Sequence, residues 1–272
     1  TSSPNSFVSK ATLAAGTLPT AIAVTLNGVY GYIADFTDKN TDGKIIKYNL
    51  GTMVVVPVNL QTGRGTHDIK ITHDGTRVIA CNRFTDDITI VNVSNDSVDR
   101  VSLNEADPSL PGKPKYGPYG IAITSTDSLA YVACLDSNSH QVRVYDITRD
   151  SVVDSIMVPV TATNNPSLPA GPCLMALSGD NQVLWITTYW GNTVVAVNPI
   201  TKQILAEIPF STGLAFGVSL SDDNTRAYVA CANAPGATGM VYIINTANYE
   251  KIDSLSVGKN SYMVHYHPVH SH

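Results

Sequence analysis

The chain repeats one pattern of apolar and polar positions five times. Each unit opens with a short apolar stretch, followed by a turn rich in Asn, Asp and Gly, which tolerate the positive φ of tight hairpins. Three more strand-length stretches follow, and no helical period of apolar positions occurs. The pattern therefore predicts an all-β fold of repeated four-stranded antiparallel units. The opening stretches are 22–25, 69–72, 121–124, 175–178 and 218–221.

The spacing of these units indicates one architecture. Four antiparallel strands that recur about every 40–50 residues are typical of the blades of a β-propeller. We therefore expect a single propeller domain over residues 1–272. Its five complete units are predicted at about 19–63, 64–117, 118–171, 172–213 and 214–260.

The two ends of the chain resemble opposite parts of one further unit. Residues 6–16 resemble the fourth-strand stretch 248–258, and residues 261–268 resemble a first strand. We therefore expect 6–16 and 261–272 to form a partial sixth blade, because an open sheet edge leaves backbone groups unpaired. Three explanations for its missing middle strands stay open. The termini pair directly in a shortened blade, another chain supplies the strands, or the polypeptide continues past His272.

Composition narrows the class of partner. The chain carries 17 Lys and Arg against 22 Asp and Glu, and only 14% of its residues are charged, where about 25% is usual. Thr, Ser and Asn must therefore cover the surface. A mildly acidic chain without a basic run is unsuited to binding nucleic acid. No apolar stretch approaches the length of about 20 residues that a membrane-spanning helix needs.

The third unit gives the repeat in its clearest form, as PYGIAIT (118–124), LAYVAC (129–134) and QVRVYDI (141–147). This pattern resembles the YVTN-type β-propeller repeat, and the resemblance extends over essentially the whole chain. The family's members include surface-layer components, periplasmic binding proteins and lactonase-like enzymes, so the resemblance implies a fold and leaves the function open. The chain departs from the family where Asn commonly ends the second strand, at Asp35, Cys81, Cys134, Thr188 and Cys231.

One face of the predicted propeller carries the long loops. The loops between second and third strands share that face with two inserts containing Pro-Ser-Leu-Pro, at 108–111 and 166–169, so we expect the binding site there. The residues just before each first strand should ring the channel mouth, either as a polar ligand site or as a plug. This ring is Thr20, His67, Tyr119, Cys173, Ala215 and Tyr262.

We expect four members of this ring to bind a ligand: His67, Tyr119, Cys173 and Tyr262. Trp190, in the loop 188–193, joins them as a predicted exposed aromatic anchor. A nucleophilic pair of Cys173 and His67 would need a lowered thiol pKa. The recurring Cys81, Cys134 and Cys231 are predicted to be buried apolar residues at one place in three blades.

Two segments carry candidate metal ligands. Asp38, Asn40 and Asp42 alternate oxygen ligands before a glycine, a pattern that suits calcium. The alternative is an ordinary hairpin loop, since Asn49 stands where an EF-hand has its bidentate Glu. At the other end, His265 and His267 would share one face of a strand and could bind Zn, Cu or Ni. The alternative there is an edge strand or a tail that binds metal adventitiously. We expect no organic cofactor.

The absence of a catalytic signature favours a non-catalytic module. We expect a secreted, periplasmic or cell-surface protein that binds a protein or a surface polymer through its loop-rich face, and that forms homo-oligomers in one of the alternatives. The second hypothesis is a lactonase-like or metal-dependent enzyme using His67, Tyr119 and Tyr262 at the channel mouth. The third is a self-assembling surface component completed by strand exchange. The Thr/Ser/Asn-rich, Lys-poor surface favours a location outside the cytoplasm, whereas unpaired cysteines favour the inside.

Overall fold

The computed structural model describes most of the chain. It covers residue 13 and residues 17–103, 116–136, 140–158, 161–162, 165–169, 171–211, 213–232, 238–259 and 261–266, with only the backbone described at 161–162 and 165–169. Every regular element in these residues is a β-strand. No helix long and apolar enough to cross a membrane occurs in them.

The strands form five antiparallel sheets that follow one another along the chain, each with its strands in sequence order from the inside outward. Blade 1 contains β1 (Pro19–Val24), β2 (Tyr30–Asp35), β3 (Lys44–Asn49) and an outer edge in two pieces, β4 (Val54–Val55) and β5 (Leu60–Gln61). Blade 2 contains β6 (Thr66–Ile71), β7 (Arg77–Asn82), β8 (Asp87–Asn92) and β9 (Val98–Ser102).

The remaining blades repeat this order. Blade 3 contains β10 (Pro118–Ile123), β11 (Leu129–Cys134), β12 (Gln141–Asp146) and β13 (Ser151–Met157), and a short ribbon of β14 (Thr161–Ala162) and β15 (Asn165–Pro169) follows it. Blade 4 contains β16 (Pro172–Leu177), β17 (Leu184–Thr188), β18 (Thr193–Val197) and β19 (Ile204–Pro209). Blade 5 contains β20 (Leu214–Leu220), β21 (Arg226–Ala232), β22 (Thr238–Asn245) and β23 (Lys251–Lys259). The prediction of an all-β propeller with five four-stranded blades is confirmed.

The core lies between neighbouring blades. One apolar residue of each inner strand in blades 2 to 5 points toward the preceding blade, so that Ile69 packs with Tyr32 of blade 1 and Ile121 packs with Ile79 of blade 2. Met175 and Val218 take the same place in the clusters at the next two junctions. Each sheet is thus apolar on both faces, because each face is covered by a different neighbour.

Two glycines allow inner strands to approach closely. A Cβ on Gly120 would lie 2.3 Å from the carbonyl oxygen of Cys173 and 3.0 Å from the Cα of Leu174, in the inner strand of the next blade. Gly217 stands at the same position in blade 5, and its Cβ would lie 2.7 Å from the carbonyl oxygen of Tyr262. Only glycine leaves room for such an approach of two backbones.

On the opposite, turn-rich face, Asx side chains tie together the hairpin turns of consecutive blades from blade 2 to blade 5. Asp127, in the left-handed conformation (φ 54°), accepts hydrogen bonds from the backbone amides of His73 and Asp74 at 2.7 Å each. Asn181 accepts from the amide of Ser125 at 3.0 Å, and Asn224 accepts from the amide of Gly179 at 3.1 Å. The Asn and Asp residues that form the predicted turns therefore also hold neighbouring blades in register.

The four cysteines are buried thiols. Cys134 and Cys231 occupy equivalent places near the end of a second strand, opposite Pro118 and Ala215. Cys81 does not share that position, because Asn82 ends the second strand of blade 2, opposite Thr66. The expectation that three cysteines recur at one place is therefore wrong for Cys81, which lies one residue earlier in its strand.

Residues 261–266 lie where the first strand of a sixth blade would begin. The amide of Tyr266 donates to Ser219 Oγ at 3.1 Å, and the ring of Tyr266 stacks on Tyr228 at 5.6 Å between centroids. No strand is assigned to these residues. The partial sixth blade stays a prediction, since residues 6–12, 14–16 and 267–272, on which it depends, lie outside the described residues.

The close approach at Gly120 predicts a large effect of a single methyl group. Gly120→Ala should lower the free energy of unfolding by about 2–3 kcal/mol, because the inner strand of blade 4 would have to move outward. Gly258→Ala is the matched control, since nothing lies within 4 Å of the Cβ it would add, and it should stay within about 0.5 kcal/mol of wild type. Urea unfolding measures both. Equal stability of the two variants would disprove the close contact between the inner strands.

Candidate functional site

The loop-rich end of the channel is shaped by a bulge that every inner strand shares. The register of each inner strand shifts within its first few residues, as between Pro118 and Gly120 in blade 3, and the extra residue of such a bulge redirects its side chain. The predicted ring residues lie at this bulge within the strand, rather than just before it. In blade 5 the shift falls between Ala215 and Gly217, so Phe216, and not Ala215, is the ring residue there.

The side chains at three of these bulges, His67, Tyr119 and Phe216, converge with Tyr189 from the loop after β17. We term these four residues the aromatic cap. The rings of His67 and Tyr119 stack with centroids 3.6 Å apart and planes at 30°. Phe216 meets Tyr119 edge-on at 6.0 Å and Tyr189 at 5.8 Å. Tyr119 and Phe216 belong to blades 3 and 5, which are not neighbours, so their contact runs past blade 4 and covers part of this end of the channel.

Small and apolar side chains support the cap from below. Cys173, the ring residue of blade 4, is fully buried together with Leu174 and Leu135 against Tyr119 and Phe216. A thiol at this position leaves space for the larger rings of blades 3 and 5 to meet. The structure thus brings His67, Tyr119 and Cys173 together, as predicted, in a packed cluster.

Two further predicted residues lie at the rim of the cap. Tyr262 packs edge-on against Phe216 at 5.1 Å and remains 48% exposed. Trp190 meets Tyr189 edge-on at 5.4 Å, and a Cβ on Gly171 would lie 2.4 Å from its ring. The expectation of an exposed Trp190 is only partly met, because one edge of its ring is covered by Gly171 and the side chain is half-buried.

A cation lies beside the cap. The guanidinium of Arg83 lies 5.3 Å from the Phe84 ring centroid and 5.8 Å from that of Tyr119, within the range of cation–π attraction. It also pairs with Asp136 at 3.6 Å. Burial raises the pKa of the Asp136 carboxyl, and Arg83 opposes that rise.

Burial keeps the titratable groups of the cap neutral. The pKa of His67 is lowered to about 4, first by burial and further by Arg83, with Asp68 acting in the opposite direction. Burial is also the main cause that raises the pKa of the Tyr119 phenol and that of the Cys173 thiol, both far above neutral pH. A Cys173 thiolate is therefore disfavoured, which argues against the nucleophilic pair of Cys173 and His67.

The predicted calcium loop is organised by its own backbone. Asp38 Oδ1 accepts hydrogen bonds from the amides of Asn40 and Thr41 at 2.6 and 2.7 Å, and these bonds lower the pKa of Asp38. Asp42 lies 4.0 Å from Arg100. The described residues contain no group of three or more His, Cys, Asp or Glu side chains placed to hold a metal ion. The calcium site stays a prediction.

The two histidines predicted to bind a transition metal are only partly placed. His265 faces the channel and lines it together with Lys70, Met175 and Val218. His267, like His270 and His272, lies outside the described residues. A metal site at this end of the chain stays a prediction.

Sequence reasoning missed three residues of the mouth. Phe216 could have been found, because Phe216-Gly217 repeats Tyr119-Gly120 once the unit is shifted by one residue. Arg83 and Tyr189 follow the second strands of blades 2 and 4 in loops. No repeat pattern marks them, since loops of different length do not align.

The fold defines the protein as a β-propeller. Comparison with known proteins shows which propellers it is similar to. A sequence profile of the family described as lactonase, 7-bladed beta-propeller, matches residues 32–154, which is less than half of the 272 residues. Five blades are described here, against seven in the family's description. The chain is therefore similar to lactonase-type propellers over blades 1 to 3, and the YVTN-type repeat stays a resemblance.

Solved structures agree on the fold alone. Hydrazine synthase of Kuenenia stuttgartiensis is 18% identical with a TM-score of 0.69, over 89% of this chain and 66% of the other. The Cps50 (Swd1) β-propeller domain of Myceliophteria thermophila is 11% identical with a TM-score of 0.69, over 92% of this chain and 77% of the other. The chain thus spans about two thirds of the hydrazine synthase chain. A comparison with curated protein sequences finds no match.

The lowered pKa of His67 predicts a pH-dependent stability. The imidazole pKa is about 4 in the folded protein, against an ordinary value of 6.5 for histidine, so the unfolded chain binds the extra proton between these values. This contribution to stability is complete above about pH 6.5 and is lost as the pH falls toward 4. The free energy of unfolding should therefore decrease more steeply over this range in wild type than in His67→Phe, which keeps a ring on Tyr119.

Urea unfolding at pH 7 and pH 5 measures the difference. His73→Phe is the matched control, because His73 is an exposed imidazole on the turn-rich face, and that variant should keep the steeper dependence. The same dependence in wild type and His67→Phe would show that His67 is not held neutral by burial.

Proposed function

We propose that this protein is a non-catalytic binding module that contacts a protein or a surface polymer through its loop-rich face. The aromatic cap, with Trp190 and Tyr262 at its rim, is the contact surface in this proposal. We place the module outside the cytoplasm, as a secreted, periplasmic or cell-surface protein, on the strength of its low charge and its Thr/Ser/Asn-rich surface.

The observation that carries the proposal is the neutral, packed state of the cap. A general base works best with a pKa near the operating pH, whereas the pKa of His67 is about 4. Tyr119 and Cys173 are shifted in the opposite direction and keep their protons. These shifts support a binding role over a lactonase-like reaction that would use His67 and Tyr119.

The rim supplies the side chains that a binding surface needs. Trp, Tyr and Arg are the residues most often found at the energetic centres of interfaces. Trp190, Tyr189, Tyr262 and Arg83 lie around the cap, and each keeps part of its surface exposed. Flat rings on a rigid scaffold lose little conformational entropy on binding.

Trp190 provides a test of this surface. A soluble oligosaccharide such as cellohexaose, used as a neutral surface-polymer probe, should change the fluorescence of Trp190, while the buried Trp185 reports no change. Trp190→Ala should weaken binding about tenfold, since a hot-spot residue contributes about 1–2 kcal/mol or more. The control Ile200→Ala removes an exposed apolar side chain in a turn of blade 4 and should leave binding unchanged.

Two results would contradict parts of the proposal. Unchanged fluorescence with cellohexaose and chitohexaose would argue against a polymer of this kind and leave a protein partner. Hydrolysis of a lactone such as dihydrocoumarin by the purified protein, lost in His67→Phe, would replace the binding role with the enzymatic one.

A second candidate function is self-assembly, and a comparison of equivalent positions favours it. In the fourth strands, Leu255 of blade 5 corresponds to Ile156 of blade 3 and Ile208 of blade 4, because each pairs with the equivalent valine of its third strand. Ile156 and Ile208 are 0% and 6% exposed, since the next blade covers them, whereas Leu255 is 51% exposed.

Blade 1 exposes the apolar face that would pack on a preceding blade. Ile22 corresponds to Ile121 of blade 3, since each pairs with the equivalent residue of its second strand. Ile121 is fully buried against the preceding blade, whereas Ile22 is 54% exposed. At each of the four junctions between consecutive blades, two such apolar faces pack on each other. The faces at Ile22 and Leu255 are not covered by any blade in the described part of the chain, and a second copy of the chain offers a matching surface for each.

Assembly through these faces predicts concentration-dependent oligomers. The double variant Ile22→Asp/Leu255→Asp should be monomeric, because a charge on each apolar face opposes its burial. Val153→Asp is the control, since Val153 is an exposed side chain on the outer strand of blade 3. Sedimentation velocity at about 1 to 100 μM, a range chosen to span common dimer affinities, measures both. A wild-type protein that stays monomeric throughout would exclude this candidate.

A further inference from the structure

Below the aromatic cap the channel is open. A cavity of about 790 Å³ is lined by the inner strands of blades 1, 2, 4 and 5 and by the segment 261–266. A second cavity of about 580 Å³ continues it to the turn-rich face and shares Lys70, Met175, Val218 and His265 with it. The volume of the first lies within the range of about 300–1,000 Å³ that is usual for small-molecule sites.

The walls of this channel are mainly apolar. Leu174, Met175, Val218 and Met263 contribute side chains that can cover a hydrocarbon or aromatic body. The polar side chains that join them in the first cavity are few: Asp68 and Lys70 from a single strand of blade 2, with Thr20 and His265. Mostly apolar walls with a few convergent polar groups are the usual composition of a ligand site.

Both carboxylate oxygens of Asp68 accept hydrogen bonds from backbone amides. Its Oδ1 accepts from its neighbour, the amide of Ile69, and its Oδ2 accepts from the amide of Ile121 in the next blade, both at 2.9 Å. The carboxylate is 4% exposed. Its charge is thus stabilised by two amide donors and by one ammonium, and its main effect is to link blades 2 and 3.

Lys70 has capacity for a further partner. Its Nζ lies 3.4 Å from Asp68 Oδ1, and the side chain is 45% exposed on the channel wall. An ammonium has three N–H donors, and Asp68 occupies one of them. The remaining donors lie beside apolar walls, where water competes less for a charge-assisted hydrogen bond.

We propose that the channel binds a small anionic amphiphile, with its carboxylate on Lys70 Nζ and its apolar body against Met175 and Val218. The ligand enters from the turn-rich face, to which the second cavity extends between the turns at His73, Gly179 and Asp222. This site is separate from the binding surface proposed above, which lies on the opposite face, and it does not depend on that proposal.

Calorimetric titration with decanoate tests the site. Decanoate should bind to wild type, and decylammonium, which has the same chain and the opposite charge, should bind at least tenfold more weakly. Lys70→Met removes the charge and keeps the length of the stem, so it should weaken decanoate binding about tenfold, as expected for one charge-assisted hydrogen bond. Lys70→Arg should keep most of the affinity.

Two control variants separate this site from other surfaces. Lys202→Met removes a half-exposed lysine that pairs with Asp154, and Leu255→Ser reduces the open apolar face of blade 5. Both should bind decanoate as wild type does. Equal binding of decanoate by wild type and Lys70→Met, equal binding of decanoate and decylammonium, or no binding of decanoate to wild type would each overturn the proposal.

Discussion

Face-to-face packing of consecutive blades is the interaction on which the rest of the structure depends. A four-stranded sheet with two apolar faces cannot exist alone in water, so each blade requires a neighbour on either side. Apolar side chains such as Ile121 supply the stabilisation, and Gly120 sets how closely two inner strands approach. Asp127 fixes the spacing at the turn-rich face through bonds to two amides. Apolar contacts therefore stabilise the packing, and the glycine and the hydrogen bonds fix the distance between neighbouring blades.

The cap at the channel mouth is a consequence of this spacing. The bulge near the start of each inner strand turns one side chain toward the loop-rich end, and the close approach of the strands brings these side chains within ring contact. Large rings at Tyr119 and Phe216 with a small thiol at Cys173 between them allow the contact at 6.0 Å. Because the rings bury one another, the imidazole of His67 is held neutral and packed. The fold thus determines the protonation state of His67 at the channel mouth.

The strands, the turns and the five four-stranded blades could be predicted because they depend on local chemistry. Strand residues alternate between two buried faces, and Asx-Gly turns mark each hairpin, so both signals lie within a few residues of sequence. His67, Tyr119 and Cys173 followed from aligning the units. Phe216 did not, because the bulge shifts its unit by one residue. The half-burial of Trp190 depends on Gly171, which lies across a loop, and the channel position of Lys70 depends on the tilt of whole blades. Neither is contained in a local pattern.

Ile22 connects the two open features of the molecule. Its side chain lines the channel cavity, and it also belongs to the apolar face of blade 1 that none of the described blades covers. A partner that covers this face therefore also completes one wall of the cavity. Lys70 is separated from that face, because it lies on the inner strand of blade 2, where blades on both sides are in place. A charge change at Lys70 thus acts on the channel and on the ion pair with Asp68, whereas a change at Ile22 acts on both the channel and the open face.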